Sequence, residues 1–156
     1  MTVLRAQDNG CREAKRLDGL WEFVADPGGV GRSEEWWRAP LAGSRPMPVP
    51  SAFDDVVVEP PLHDHVGDVW YQRVVHVPRG WDGRRIVLRF DAATHRAVVW
   101  AGDEQVGAHA RAAELLAEQQ QRSGADAAAD HGNALVLPGQ CGRVKAVAAG
   151  AGPGQR

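Results

Sequence analysis

Up to about residue 109, apolar and polar positions alternate in short runs separated by turn signals. In Arg84–Ala92 (RRIVLRFDA), Ile86, Leu88 and Phe90 fall on one side and Val87, Arg89 and Asp91 on the other, as in a strand with one solvated face. Leu17–Asp26 (LDGLWEFVAD) runs into the turn-rich PGGVG, and Asp68–Pro78 (DVWYQRVVHVP) is dense in β-branched and aromatic residues. Ala97–Gly107 (AVVWAGDEQVG) reads as two strands joined by a tight turn at residues 101–104. Pro46, Pro48, Pro50, Pro60, Pro61, Pro78, Gly80 and Gly83 punctuate the intervals. One short helix is predicted in this part, Ser33–Arg38, with Ser33 in the N-cap position. Short strands at this spacing predict an all-β fold, an antiparallel sandwich.

The later sequence has a different character. All ten aromatic residues lie between Trp21 and Trp100, and none occurs in the last 56 positions. Residues Arg111–Arg156 hold 12 Ala and 7 Gly among 46. Aromatic side chains supply the largest buried areas of a core, so the core-building part is expected to end near residue 109. Beyond it, Arg111–Arg122 (RAAELLAEQQQR) is made of helix formers, with Ala112, Leu115, Leu116 and Gln119 in a thin stripe. ALVLP (Ala134–Pro138) and RVKAVAA (Arg143–Ala149) read as short strands, and the last seven residues as loose ends.

Composition narrows the class. A chain of 156 residues has room for one ordinary domain, and 24% charged with 44% hydrophobic residues is a soluble globular balance. The net charge of −2 lacks the basic excess that nucleic acid or an anionic membrane requires, so neither is expected as a partner. No apolar run approaches the length of a bilayer span, and the opening MTVLRAQDNGCREAKR has no apolar signal core. Cys11 and Cys141 form no C-x-x-C pattern and are read as free thiols. A cytoplasmic location follows as the expectation.

Glycoside hydrolysis needs two carboxyl groups at a set separation, and the adjacent Asp54 and Asp55 are better read as turn residues. His63 and His65, two apart with Asp64 between them, have a spacing zinc uses on a strand; His76 is isolated, and surface histidines on a loop are the preferred reading. Gly28, Gly29 and Gly31 lack the continuation of a dinucleotide or phosphate loop and are read as a turn. Ser33, Ser44, Ser51 and Ser123 have no nucleophile-elbow context. Trp36, Trp37 and Trp81 are the carbohydrate candidates, since sugar C–H faces pack on indole planes; the competing reading makes them plugs at the ends of the sandwich.

Three stretches carry a resemblance. RLDGLWEFVAD (Arg16–Asp26), PVPSAFDD (Pro48–Asp55) and GDVWYQRVVHVPRGWDGRRIVLRFDAATHRAVVWAGDEQVGAH (Gly67–His109) resemble the N-terminal sugar-binding domain of β-glucuronidases, which belong to glycoside hydrolase family 2. The likeness runs over residues 12–109 and leaves 110–156 as a divergent tail, either frameshifted or disordered. It implies a jelly-roll (galactose-binding-like) sandwich, a glucuronide as carbohydrate partner, and retaining chemistry that needs no cofactor and no metal. The family's catalytic glutamates lie in a barrel of about 250 residues, so no catalytic residue carries over to this chain. The tail composition is what out-of-frame reading of GC-rich DNA gives, so a frameshift or truncation of a longer gene, leaving a truncated β-glucuronidase-like protein, is the expectation, with a genuine variant ending as the alternative. If the tail adds no strands, the sandwich keeps an open apolar edge, and self-association is expected. Two other readings stand beside this one: a free-standing carbohydrate-binding module without catalysis, and a fragment that complements a separately encoded remainder.

Overall fold

The computed structural model describes residues 8–90, 96–110, 134–137 and 143–151. The helix expected over Arg111–Arg122 lies outside them, as do Ser123 and Cys141. Eight strands are described: β1 (Gly19–Asp26), β2 (Arg45–Val49), β3 (Asp68–His76), β4 (Ile86–Arg89), β5 (Arg96–Ala101), β6 (Glu104–Ala110), β7 (Ala134–Leu137) and β8 (Arg143–Ala151). Two single-turn helices, α1 (Phe53–Val56) and α2 (Pro60–His63), lie between β2 and β3. Six strands form one sheet in the order β2-β1-β3-β8-β5-β6, and β4 pairs with β7 in a second. Every pairing is antiparallel, giving the expected all-β sandwich.

Register explains why β3 is apolar at successive positions. Phe23 pairs with Tyr71 and Val24 with Trp70, so neighbouring residues of β1 and β3 serve opposite faces of the sheet. On one face, Trp21 and Val99 meet Ile86 and Leu88 of β4, while Phe23, Met47 and Val69 meet Phe53 and Val57. On the other, Trp70, Val98 and Trp100 are covered by Leu41, Trp36 and Trp37 from the β1–β2 connection. Large apolar side chains contribute about 1.5–3 kcal/mol each when fully buried. Trp70, Phe23 and Met47 are the largest side chains so enclosed.

The sheet does not end at residue 109. β8 pairs along its whole length with β3, from Asp68–Ala151 to His76–Arg143, and on its other side with residues 97–101 of β5. β7 completes the second sheet against β4, from Ile86–Leu137 to Arg89–Ala134. The stretches read as strands from sequence, Ala134–Pro138 and Arg143–Ala149, therefore enter the sandwich through β7 and β8, and β8 runs on to Ala151, into the residues expected as loose ends. An open edge was expected only if they added no strand. With β8 in place, the six-stranded sheet ends at β2 and β6. β2 carries Pro46 and Pro48, which lack the N–H that a further strand would need.

The helix expected at Ser33–Arg38 is shorter than predicted. Only Trp36–Arg38 form a 3₁₀ turn, and Glu35 before it is left-handed at φ 51°, which no longer helix could accommodate. Ser33 is not its cap; the Ser33 hydroxyl donates to the Val30 carbonyl at 2.9 Å.

Candidate functional site

The β1–β2 connection is built around Asp26, which the sequence reading passed over. Its side chain is 2% exposed at the end of β1. One carboxylate oxygen accepts from the Val30 N–H at 2.9 Å; the other accepts from the Gly31 N–H at 2.7 Å and the Trp70 indole N–H at 3.2 Å. Three donors on one carboxylate satisfy its burial and fold the PGGVG turn back over β3. Gly31 is required by that approach: a Cβ there would lie 2.4 Å from Trp70 Nε1. The glycines thus serve a turn, as expected, and one of them also serves a close contact with an indole.

Gln72 fixes the other end of the same connection. It is buried on the Trp70 face of β3, where its Nε2 donates to the Ala39 carbonyl at 2.8 Å and its Oε1 accepts from the Leu41 N–H at 3.2 Å. A polar residue at an inward position of an apolar strand was the available sequence signal. Asp26 and Gln72 together hold Trp36 and Trp37 against the sheet.

Four indoles meet there. Trp37 stacks on Trp100 with centroids 4.9 Å apart and planes 6° from parallel, and Trp100 stacks on Trp70 at 5.3 Å. Trp36 tilts against Trp70 at 5.8 Å, its indole N–H donating to Glu34 at 2.8 Å. Both Trp36 and Trp37 are half-buried, so each keeps part of its surface in water. Arg38 lies beside them, bridged to Glu35 at 2.9 Å and to Asp103 of the β5–β6 turn at 3.9 Å. Trp81 is elsewhere: it packs with Trp21, Ile86 and Leu88 on the opposite face of the sheet, and its N–H donates to Glu13 at 2.6 Å. The three candidate tryptophans therefore do not share one platform.

The remaining candidates have structural surroundings. Asp54 and Asp55 sit in α1 rather than in an open turn, at the helix start where carboxylates are favoured. His63 is exposed and paired with Asp64 at 2.8 Å. His65 departs from the expected surface loop: it is buried beside Phe53, with Nε2 at 3.0 Å from the Asp68 carbonyl. Its ring faces Gly67, and the short link into β3 turns it inward. Among the described residues no three His, Cys, Asp or Glu side chains gather as a metal site. The Ser44 hydroxyl donates to Glu22 at 2.7 Å, and Cys11 is an exposed free thiol. Among the described residues no helix is long and apolar enough to cross a membrane, which says nothing of β-barrels.

The arrangement offers an aromatic surface with an adjacent cation. Comparison with known proteins adds a family. Residues 14–120 match the model for "Glycosyl hydrolases family 2, sugar binding domain". The β-glucuronidase of Paenibacillus borealis is 44% identical over 107 residues, covering 69% of this chain and 18% of that protein. The human β-glucuronidase is 45% identical over 107 residues, covering 63% of this chain and 16% of the relative. A solved β-glucuronidase from an uncultured Clostridium superposes with a TM-score of 0.75 at 30% identity, covering 97% of this chain and 24% of that one. The chain thus spans about a fifth of the length of the proteins it is similar to.

Proposed function

The chain belongs to glycosyl hydrolase family 2 through its sugar-binding domain, and on that footing we propose that it acts as the sugar-binding part of a β-glucuronidase-like protein. The observation that carries this reading is the ordered match over residues 14–120, alongside relatives that are β-glucuronidases. Hydrolysis of O-glycosyl bonds in β-D-glucuronosides is assigned to sequence outside the matched portion, in the part that corresponds to the remaining length of the relatives. Residues 12–109 carry the family's framework in this reading, and the tail after them is its divergent part. A cytoplasmic location goes with it.

Where this domain touches carbohydrate, we assign the contact to Trp36 and Trp37, with Arg38 as the cation for a uronate carboxylate. Trp81, on the other face and tied to Glu13, is the alternative. The test is a titration of the purified chain with glucuronides, following tryptophan fluorescence and the hydrolysis of a chromogenic β-D-glucuronide in parallel. Saturable quenching that Trp36→Ala removes and Trp81→Ala retains, without turnover, is the expected result. No change at millimolar ligand would overturn the sugar contact, and turnover would overturn the division of labour. Self-association through a sheet edge is also part of the reading, at β6, because prolines occupy the β2 edge. A concentration series in sedimentation velocity that shows only monomer removes it.

A further inference from the structure

The net charge of −2 is unevenly placed along the chain. Residues 12–18 and 79–85 together carry six cations, Arg12, Lys15, Arg16, Arg79, Arg84 and Arg85, against three carboxylates. The two segments are far apart in sequence and side by side in the fold. The Trp81 indole N–H donates to Glu13 at 2.6 Å, and the Lys15 ammonium donates to the His76 carbonyl at 2.9 Å. Leu17 and Trp81 pack on the same cluster of Trp21, Ile86 and Leu88. Arg73 donates to the Leu17 and Asp18 carbonyls and so fixes the first segment where it enters β1.

The second segment is shaped by its own main chain. The Trp81 N–H donates to the Pro78 carbonyl at 3.0 Å, the Asp82 N–H to Arg79 at 3.1 Å, and the Arg84 N–H to Trp81 at 3.0 Å. Gly83, at φ 68°, turns the chain between Asp82 and Arg84. Its arginine side chains are therefore not used to hold the loop. All six cationic residues are exposed, and Arg79, Arg84 and Arg85 take part in none of the ion pairs among the described residues. Two of the three carboxylates are fixed away from them: Glu13 on Trp81, and Asp18 on Arg16 at 3.6 Å. Trp81, half-buried, lies between the two basic segments.

We propose that this end of the sandwich docks an acidic polysaccharide, its carboxylates on the arginines and its sugar rings passing over the exposed part of Trp81. Guanidinium forks pair with carboxylates in a bidentate way, and an indole offers an apolar plane to sugar C–H faces. Cations spread over two segments suit a chain of linked acidic units, whose several weak contacts act together, better than a single sugar. The choice of a sugar polymer rests on the sugar-binding reading above; the choice of an acidic one rests on the charge.

The test uses the full chain and a fluorescently labelled oligogalacturonate, with binding read by anisotropy as salt is raised. Binding that weakens with salt is expected, with none to neutral dextran. Arg84→Glu together with Arg85→Glu should lower the affinity about tenfold, since two weak pairs are lost and two repulsions gained. Arg79→Glu replaces that variant if it does not unfold cooperatively, with a smaller loss in the same direction. Arg45→Glu reverses a charge at the β2 edge, where Arg45 pairs with Glu59, and should leave the affinity within about twofold. The proposal is overturned by no binding at low salt, by equal binding of dextran, by an equal loss in Arg45→Glu, or by tighter capture of single-stranded DNA. The monomeric glucuronide titration reads Trp36 and Trp37 separately. Its failure beside salt-sensitive oligogalacturonate binding removes that contact and leaves this surface, and the opposite pattern removes this surface alone.

Discussion

In β3, Trp70 and Tyr71 serve opposite faces of the sheet, and the strand beside it, β8, presents Ala149 and Ala148 at the paired positions. The two strands are neighbours of equal length, nine residues each, yet one brings large aromatic rings and the other mostly small residues. Position within a sheet is fixed by main-chain pairing, which any residue except proline provides. The amount of apolar surface buried is set by side chains, and the first part of the chain brings nearly all of the large ones. A strand can therefore be central in topology while its sequence looks peripheral.

The largest effect expected is from Trp70→Ala. It removes a ring enclosed by Trp36, Trp37 and Trp100 and leaves the Asp26 carboxylate without its indole donor. Truncation of a buried tryptophan costs about 3–5 kcal/mol, which should abolish a cooperative urea transition in a marginally stable domain. Ala148→Pro asks the matching question of β8. Its position is paired with Tyr71 on one side and Val99 on the other, where a proline can donate no ladder bond. A loss of about 1–3 kcal/mol is expected from the unsatisfied pairing, read as a lowered urea midpoint. An unchanged midpoint would separate β8 from the rest of the sheet and end the comparison.

Gly31→Ala comes next and belongs wholly to the aromatic side. The added methyl would meet Trp70 at 2.4–2.7 Å, against a ring held on several sides by other indoles. Overpacking of this kind costs about 1–3 kcal/mol. Thermal unfolding should show the decrease, while Gly43→Ala, whose added methyl has nothing within 4 Å, bears only the cost of its positive φ.

The legibility of the fold follows the same division. β1, β3, β4 and the β5–β6 hairpin could be read from alternation and turn residues, because their side chains meet a core on at least one face. The tail strands are visible as short apolar runs, but the place of β8 in the middle of the six-stranded sheet and of β7 beside β4 is not. Small residues give no sign of which neighbours they join. The indole cluster was partly visible: Trp36 and Trp37 stood out, yet their mutual stacking with Trp70 and Trp100 depends on distant pairings of β3 and β5 through β8. Asp26 and Gln72 are less legible: a polar residue within an apolar strand is a signal, but nothing in the sequence says which distant groups it bonds. His65 differs from the expected surface loop for a related reason, since only the tertiary fold brings Phe53 to its ring.

The smallest effect reports on β8 most directly. Tyr71 is the sole tyrosine, so phenolate absorbance belongs to it alone. Burial first, and the Asp54 carboxylate second, push its hydroxyl up to about 12 from an ordinary value of 10.0. Because the folded value lies above the unfolded one, this group's contribution to stability is complete below pH 10 and is lost as pH rises through 12. Tyr71→Phe should therefore flatten the fall of the urea midpoint over that window, with little change at neutral pH. The titration also reads the strand next to it. Ala148 is the residue of β8 paired with Tyr71, so displacing β8 opens that flank of the ring to water and weakens the desolvation behind the shift. In Ala148→Pro, a phenolate titration that moves back toward 10.0 places β8 beside Tyr71 in solution, whereas one that stays near 12 means the first part of the chain shields the ring by itself.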